Sequence, residues 1–194
     1  MIDSLINRER KRIVIDWLYI KDKAGEEDLI VEEQDIMSRT NLHFQTVAGG
    51  SNEDKVILDE WKRQYSSKSW INDDIYNKLI DLISDDKLVN TIHNLADGKA
   101  AGPSKISNEM LKHLSSQMLK HIKSLMNSCL EFNDIPEFWK QANLYPIPKP
   151  KAWNYDLNNT WPITLLDTMR KVLVKILNKR LSDIFVKHNI LWEN

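Results

Sequence analysis

Thiols are nearly absent from this chain. Cys129 is the single cysteine in 194 residues, so no intrachain disulfide can close and no site built on several thiolates can form. That excludes a disulfide scaffold and suits a reducing compartment. Long apolar runs are missing too, since no stretch approaches the roughly 18–20 residues of a membrane span. Charged residues Arg8, Glu9, Arg10, Lys11 and Arg12 follow the start almost at once, which leaves no room for a signal-peptide apolar core. The expectation is a soluble intracellular protein, in nucleus or cytoplasm, without a membrane partner. Internal repeats and low-complexity tracts are also lacking. The five histidines have no companions at metal-ligand spacing; His113 and His121 lie eight apart on one expected helix and read as structural or exposed. No Ser-His-Asp arrangement can be read. Gly98 and Gly102 flank Lys99 without the phosphate-loop pattern. No catalytic residue and no metal ligand is therefore assigned.

What is present is globular. Hydrophobic residues make up 42% and charged residues 28%, and a chain of this length can bury roughly 70% of its unfolded surface without staples. The net charge of −1 hides an asymmetry. Residues 1–98 hold 13 basic and 20 acidic side chains, a net of −7. Residues 99–194 hold 14 basic and 8 acidic, a net of +6. Between 140 and 180 lie Lys140, Lys149, Lys151, Arg170, Lys171, Lys175, Lys179 and Arg180, against only Asp156 and Asp167. A one-sign block of this kind either binds phosphates or forms a solvated helix face.

The patterning predicts an α+β chain that is mostly helical. Residues 12–20 are β-branched and aromatic, as a strand requires; after a turn over Lys21–Asp28, Leu29–Val31 can return as a second strand. A helix is expected over 33–46, ending before Gly49-Gly50, which with Ser51-Asn52 makes the best linker. Short helices follow near 53–65, 73–83 and 85–96. After Gly102-Pro103-Ser104 the residues Ile106, Met110, Leu114, Met118, Ile122, Leu125 and Cys129 recur at three and four, giving one long helix with one apolar stripe. Pro136 ends it. Residues 142–147 read as an edge strand because Pro146, Pro148 and Pro150 cannot donate ladder bonds. A polar loop runs from Lys151 to Thr160. The last helix spans about Leu166 to Lys187, with Leu166, Met169, Leu173, Ile176, Leu177, Leu181 and Ile184 as its stripe and Thr164 with Asp167 as its cap. Trp17, Trp61 and Trp139 fit core patterns; Trp153 and Trp161, flanking the loop, are the tryptophans that could stack bases. Cys129 reads as a buried, inert thiol.

Three blocks carry more than composition. The first is Asp97 to Lys112 (DGKAAGPSKISNEMLK). The second joins Ile135-Pro136-Glu137-Phe138-Trp139-Lys140 to Pro146-Ile147-Pro148-Lys149-Pro150. The third is Asn159 to Leu166 (NTWPITLL), followed by Arg170-Lys171 and Lys175 to Leu181. Their order and spacing resemble the fingers part of reverse transcriptases of non-LTR, LINE-like retrotransposons, most strongly over Leu95–Asn194 and more weakly over Arg12–Asn94. The resemblance implies a fingers-type lobe of a right-hand polymerase without a complete palm over 97–194. It would be preceded by a linker region, a possible hairpin plus helix, over 1–52 and a helical pre-fingers region over 53–96. It implies RNA template and DNA primer as partners and Mg²⁺ as cofactor of the complete enzyme, with none in this chain. Lys149 matches the family lysine that reaches the nucleotide's triphosphate. Trp161 stands where the family has an arginine, and an indole cannot make that contact. Lys151, Arg170, Lys171, Lys175, Lys179 and Arg180 are the implied nucleic-acid contacts. The family's metal-holding Asp motifs lie beyond the third block, whereas the sequence stops at Leu191-Trp192-Glu193-Asn194. Asp73-Asp74 and Asp85-Asp86 do not replace them, since they stand where helices would begin and the helix dipole favours acids. The expectation is a fragment inactive alone; a non-catalytic RNA- or DNA-binding module and a decayed relic are the other readings.

Overall fold

The structure is a computed structural model, and it describes residues 15–21, 27–49, 59–64, 66, 71–150 and 154–190. By compactness the chain divides into two units: Met1–Ile57 with Leu144–Ile163, and Leu58–Asn143 with Thr164–Asn194. Each unit draws on two separate stretches, so the division cuts across the sequential segments 1–52, 53–96 and 97–194.

In the first unit, β1 (Leu18–Lys21) and β2 (Glu27–Ile30) pair antiparallel, with Leu18 opposite Ile30 and Tyr19 opposite Leu29. The two expected strands therefore pair, while residues 12–14 of the first and residues 22–26 of the expected turn lie outside the described residues. Leu18 and Ile30 are buried while Leu29 is exposed, the alternation of a sheet with one wet face. Their buried side packs with Leu157 and with Ile36 of α1 (Glu33–Gly49). That helix turns Ile36, Thr40 and Phe44 inward, four residues apart and so on one stripe. It runs through Gly49, three residues past the expected end. The rest of the expected linker, Gly50 to Asn52, lies outside the described residues.

A second two-stranded sheet joins β3 (Ala142–Pro148) to β4 (Thr160–Leu166). Strand β4 is a correction: its residues read as the end of a loop and the start of a helix. Pro162 is tolerated there because a two-stranded sheet consists only of edges. Between the strands, Asp156 caps a 3-10 turn over Leu157–Asn159 by accepting the Asn158 N–H.

In the second unit, α2 (Asp59–Gln64) is the described part of the helix expected over 53–65. The helix expected over 73–83 is a single 3-10 turn, Asp73–Tyr76, capped by Asn72. Ser84 caps α3 (Asp85–His93). The expected long helix is two: α4 (Asn108–Lys112), capped by Ser107, and α5 (Ser116–Phe132), capped by Ser115. The break at 113–115 resets the helical phase, and it puts His113 and His121 on different elements. Met110, Met118 and Leu125 therefore face outward at 57%, 48% and 37% exposure, and the buried face of α5 is Ile122, Met126, Cys129 and Leu130. Asn133, at φ 51°, ends α5; α6 (Glu137–Lys140) follows.

The final helix, α7 (Thr168–Lys187), is capped by Asp167, whose carboxylate accepts the Met169 N–H. Thr164, expected as its cap, sits on β4 instead. Val172, Leu173 and Ile176 are buried, with Met169 and Leu177 packed beside them. They join Ile83, Leu88, Leu111, Met126 and a fully buried Trp139 in one core. Asn127 ties the segment just before α3 to α5, its Oδ1 accepting the Ile83 N–H at 2.7 Å and its Nδ2 donating to the Ile83 carbonyl at 3.3 Å.

Candidate nucleic-acid interface

Residues of all three sequence blocks meet at the start of α7, within the second unit. Gly102 is the closest approach. A Cβ built there would lie 2.2 Å from the Leu166 carbonyl oxygen and 2.7 Å from the Asp167 nitrogen. Only glycine lets the first block's backbone come this near the third. Thr168 Oγ1 donates to the Ile106 carbonyl at 2.6 Å, and Arg170 Nη1 donates to the Trp139 carbonyl at 2.9 Å. The first block also folds on itself. Gly98, at φ 67°, donates its N–H to Glu109 Oε1 at 2.5 Å. That bond, with the Glu109 N–H and the Ser107 hydroxyl, lowers the Glu109 carboxyl from 4.5 to about 2. Asn108 Nδ2 donates to the Ala96 carbonyl at 2.7 Å, and Lys112 pairs with Asp97 at 2.6 Å. The polar residues of this block build a turn.

Arg170, Lys171, Lys175, Lys179 and Arg180 of α7 have internal partners. Lys171 Nζ donates to the Ala100 carbonyl at 3.4 Å and Lys175 Nζ to the Asn94 carbonyl at 2.9 Å. Arg180 spans the carbonyls of Leu79, Asp81 and Leu82 at 2.9, 2.6 and 3.2 Å. Lys179 pairs with Asp183 one turn on. Lys140 lies between Asp134 and Glu137, which hold its ammonium above the usual lysine range. An extra carbonyl bond does not neutralise a lysine or arginine, so these groups keep their charge. Their geometry, however, is set by the fold.

The hairpin of β3 and β4 is arranged differently. Lys149, half-buried at the end of β3, donates Nζ to the Asn158 carbonyl at 2.9 Å and its backbone N–H to the Asn159 carbonyl at 2.8 Å. It thus closes the loop that leads into β4. Along β3, Tyr145 and Ile147 are 52% and 37% exposed; along β4, Trp161 and Ile163 are 49% and 42% exposed. Residues two apart share a face of a strand, so each strand presents an aromatic and an isoleucine to solvent. Trp161 is thus exposed, as a stacking residue must be. Tyr145 is not singled out by the sequence, where Pro146 and Pro148 directly after it obscure its alternation. Lys151 and Trp153 lie outside the described residues. The tryptophans assigned to the core divide: Trp139 is fully buried, Trp61 is 55% exposed, and Trp17 is half-buried and stacked on Tyr155 with ring centroids 3.4 Å apart. Cys129 is buried, which raises its thiol pKa and suits an inert role.

Among the described residues no three metal-ligating side chains converge, so no chemistry through a bound ion is derived. Asp73-Asp74 open the 3-10 turn, and Asp85-Asp86 open α3, with Asp85 paired to Lys123 at 2.7 Å. Among the described residues no helix is long and apolar enough to cross a membrane.

The chain is similar to a protein of Drosophila melanogaster named "Probable RNA-directed DNA polymerase from transposon BS". It is 27% identical to it over 106 residues, which is 55% of this chain and 12% of that protein. No family model matches. The similarity supports a reverse-transcriptase-related segment, and the chain spans about an eighth of its relative's length.

Proposed function

We propose that this chain is a fingers-type segment of a non-LTR, LINE-like retrotransposon reverse transcriptase, with no polymerase activity by itself. The observation that carries the reading is the ordered set of three blocks, together with 27% identity over 106 residues to a transposon RNA-directed DNA polymerase. Nucleotidyl transfer needs two metal ions held by carboxylates about 3.5–4 Å apart. In the family that the three blocks resemble, those carboxylates lie in later motifs, outside the blocks matched here. The partners are RNA template and DNA primer, and Mg²⁺ belongs to the complete enzyme. In this reading Lys149 supplies the phosphate contact of the hairpin, helped by Lys151. Trp161 stacks on a base in place of the lost arginine. Arg170, Lys171, Lys175, Lys179 and Arg180 contribute positive charge, each with its geometry fixed by a partner, as that of Lys149 is fixed by the Asn158 carbonyl; the family match, not a free ammonium, singles out Lys149.

A second reading, a non-catalytic RNA- or DNA-binding module, is favoured by one observation: the solvent-facing Tyr145 and Trp161 beside Lys149. Base stacking of this sort tolerates any sequence. Primer extension with the purified chain and Mg²⁺ or Mn²⁺ tests the first reading. The expected result is no incorporation; template-directed synthesis that co-purifies with the chain refutes it. Salt-dependent binding without incorporation fits both readings, and loss of stable folding contradicts both in favour of a relic.

A further inference from the structure

We propose that the first unit carries a nucleotide-binding site of its own, formed by Arg39 and His43 on α1 and the Asn154–Asn159 loop. These residues line a cavity of about 510 Å³ with Tyr19, within the range of about 300–1,000 Å³ typical of small-ligand sites. Arg39 and His43 are four apart on α1, hence neighbours on one face. Arg39 is exposed and has no hydrogen bond or ion pair with any described residue. This contrasts with Arg170, Lys171, Lys175, Lys179 and Arg180 of α7, each of which holds a partner. Across the cavity Asp156 Oδ1 accepts both the backbone N–H and the Nδ2 of Asn158, each at 2.9 Å. Its second oxygen and the side-chain amides of Asn154 and Asn159 remain available.

The charge pattern selects the ligand. A bare phosphate would meet Arg39 but also the Asp156 carboxylate, and it would leave most of the cavity empty. A ligand with an anionic end and an amine-bearing end satisfies both walls. Its phosphate pairs with Arg39, a fork that matches phosphate geometry, and its exocyclic amine donates to Asp156. The Tyr19 ring offers a stacking surface. The loop is also held in a strained form: Asn154 and Tyr155 both have positive φ, 45° and 55°. Left-handed backbone is costly for a tyrosine, and such strain concentrates at ligand sites. It is sustained by the Trp17–Tyr155 stack and by the Tyr19 N–H donating to the Tyr155 carbonyl at 3.2 Å. The choice of a nucleotide over other ligands with these two ends rests on the proposed function above. The source is either a free mononucleotide or one residue of a strand.

The test titrates the full chain with AMP, with UMP and with a single-stranded oligoadenylate, following the His43 imidazole by NMR. AMP or the oligonucleotide should move the His43 signals saturably, and UMP, which lacks the exocyclic amine, should bind several-fold more weakly than AMP. Arg39→Gln should weaken binding roughly tenfold or more, as expected for losing a charge-assisted contact. The control Lys187→Gln, on an exposed residue of α7, should stay within about twofold of the parent. Saturation by AMP identifies a free nucleotide; saturation by the oligonucleotide alone identifies a strand residue. The proposal is overturned if neither probe moves His43, or if Arg39→Gln binds like the parent. Arg39 sensitivity without any effect of Lys149 would leave this site standing while the hairpin reading fails, and the reverse pattern would do the opposite.

Discussion

Replacing Gly102 with alanine tests the packing that brings the sequence blocks together. The added Cβ would meet the Leu166 carbonyl oxygen at 2.2 Å, its carbon at 2.4 Å and the Asp167 nitrogen at 2.7 Å. All three are backbone atoms, so no side chain can swing aside. Either the Gly102 loop or the β4–α7 junction must move, and the Thr168–Ile106 bond at 2.6 Å lies at that junction. Overpacking of this kind costs about 1–3 kcal/mol, or a fall in Tm of roughly 2–12 °C for a chain of this size. Gly98 is the internal control. A Cβ there meets nothing within 4 Å, but its φ is +67°, so Gly98→Ala should cost about 1–2 kcal/mol through conformation alone. Asparagine separates the two mechanisms because it tolerates left-handed backbone. Gly98→Asn should recover part of the loss, whereas Gly102→Asn should be worse than Gly102→Ala. Thermal unfolding followed by fluorescence of the buried Trp139 is the assay. A Gly102→Ala protein that melts like the parent would refute the close approach, and with it the convergence of the blocks.

Arg180→Gln, which removes bonds to the carbonyls of Leu79, Asp81 and Leu82, should cost about 1–3 kcal/mol in denaturant unfolding; an unchanged midpoint would mean these bonds contribute nothing. Trp139→Ala, at a fully buried position, should cost about 3–5 kcal/mol, and a smaller loss would place the indole outside the core. Glu109, held at about 2 against 4.5, stabilises the folded form above its unfolded value, and that contribution disappears as pH falls from about 4.5 to about 2. Glu109→Gln should therefore be less stable than the parent near pH 6 and equal to it near pH 2, a convergence that unfolding midpoints across the range would reveal or deny.

Legibility from sequence followed the range of the interactions. The β1–β2 hairpin, β3 and α7 were visible because their periods of two and 3.6 are local properties. The phase of α5 was not: Ser115 caps a new helix three residues after α4 ends, and a break that short leaves apolar spacing continuous while rotating the buried face. Strand β4 was obscured by Pro162 and by polar neighbours, since its pairing with β3 is fixed from across a loop. The roles of the cations were the least visible. Arg180 meets carbonyls about a hundred positions upstream, and Lys175 meets Asn94; composition shows a basic block but not what each charge touches. Arg39 and His43 stood in the acidic half of the chain, where the charge count directed attention elsewhere.

The most direct measurement is the salt dependence of single-stranded RNA binding by the parent chain, by Lys149→Ala, by Trp161→Ala and by Lys120→Ala. Each lysine on a phosphate contributes about 0.7 to the slope of log K against log[salt] for single strands. Lys149 closes the β3–β4 loop and Trp161 stands exposed on β4, whereas Lys120 is an exposed lysine of α5. The hairpin reading predicts that Lys149→Ala flattens the slope by about 0.7. Trp161→Ala should weaken affinity by about 1–3 kcal/mol without changing the slope, and Lys120→Ala should change neither. Equal losses from Lys149→Ala and Lys120→Ala, with no effect of Trp161→Ala, would show that binding follows charge number alone and would contradict a fingers-type site on this hairpin.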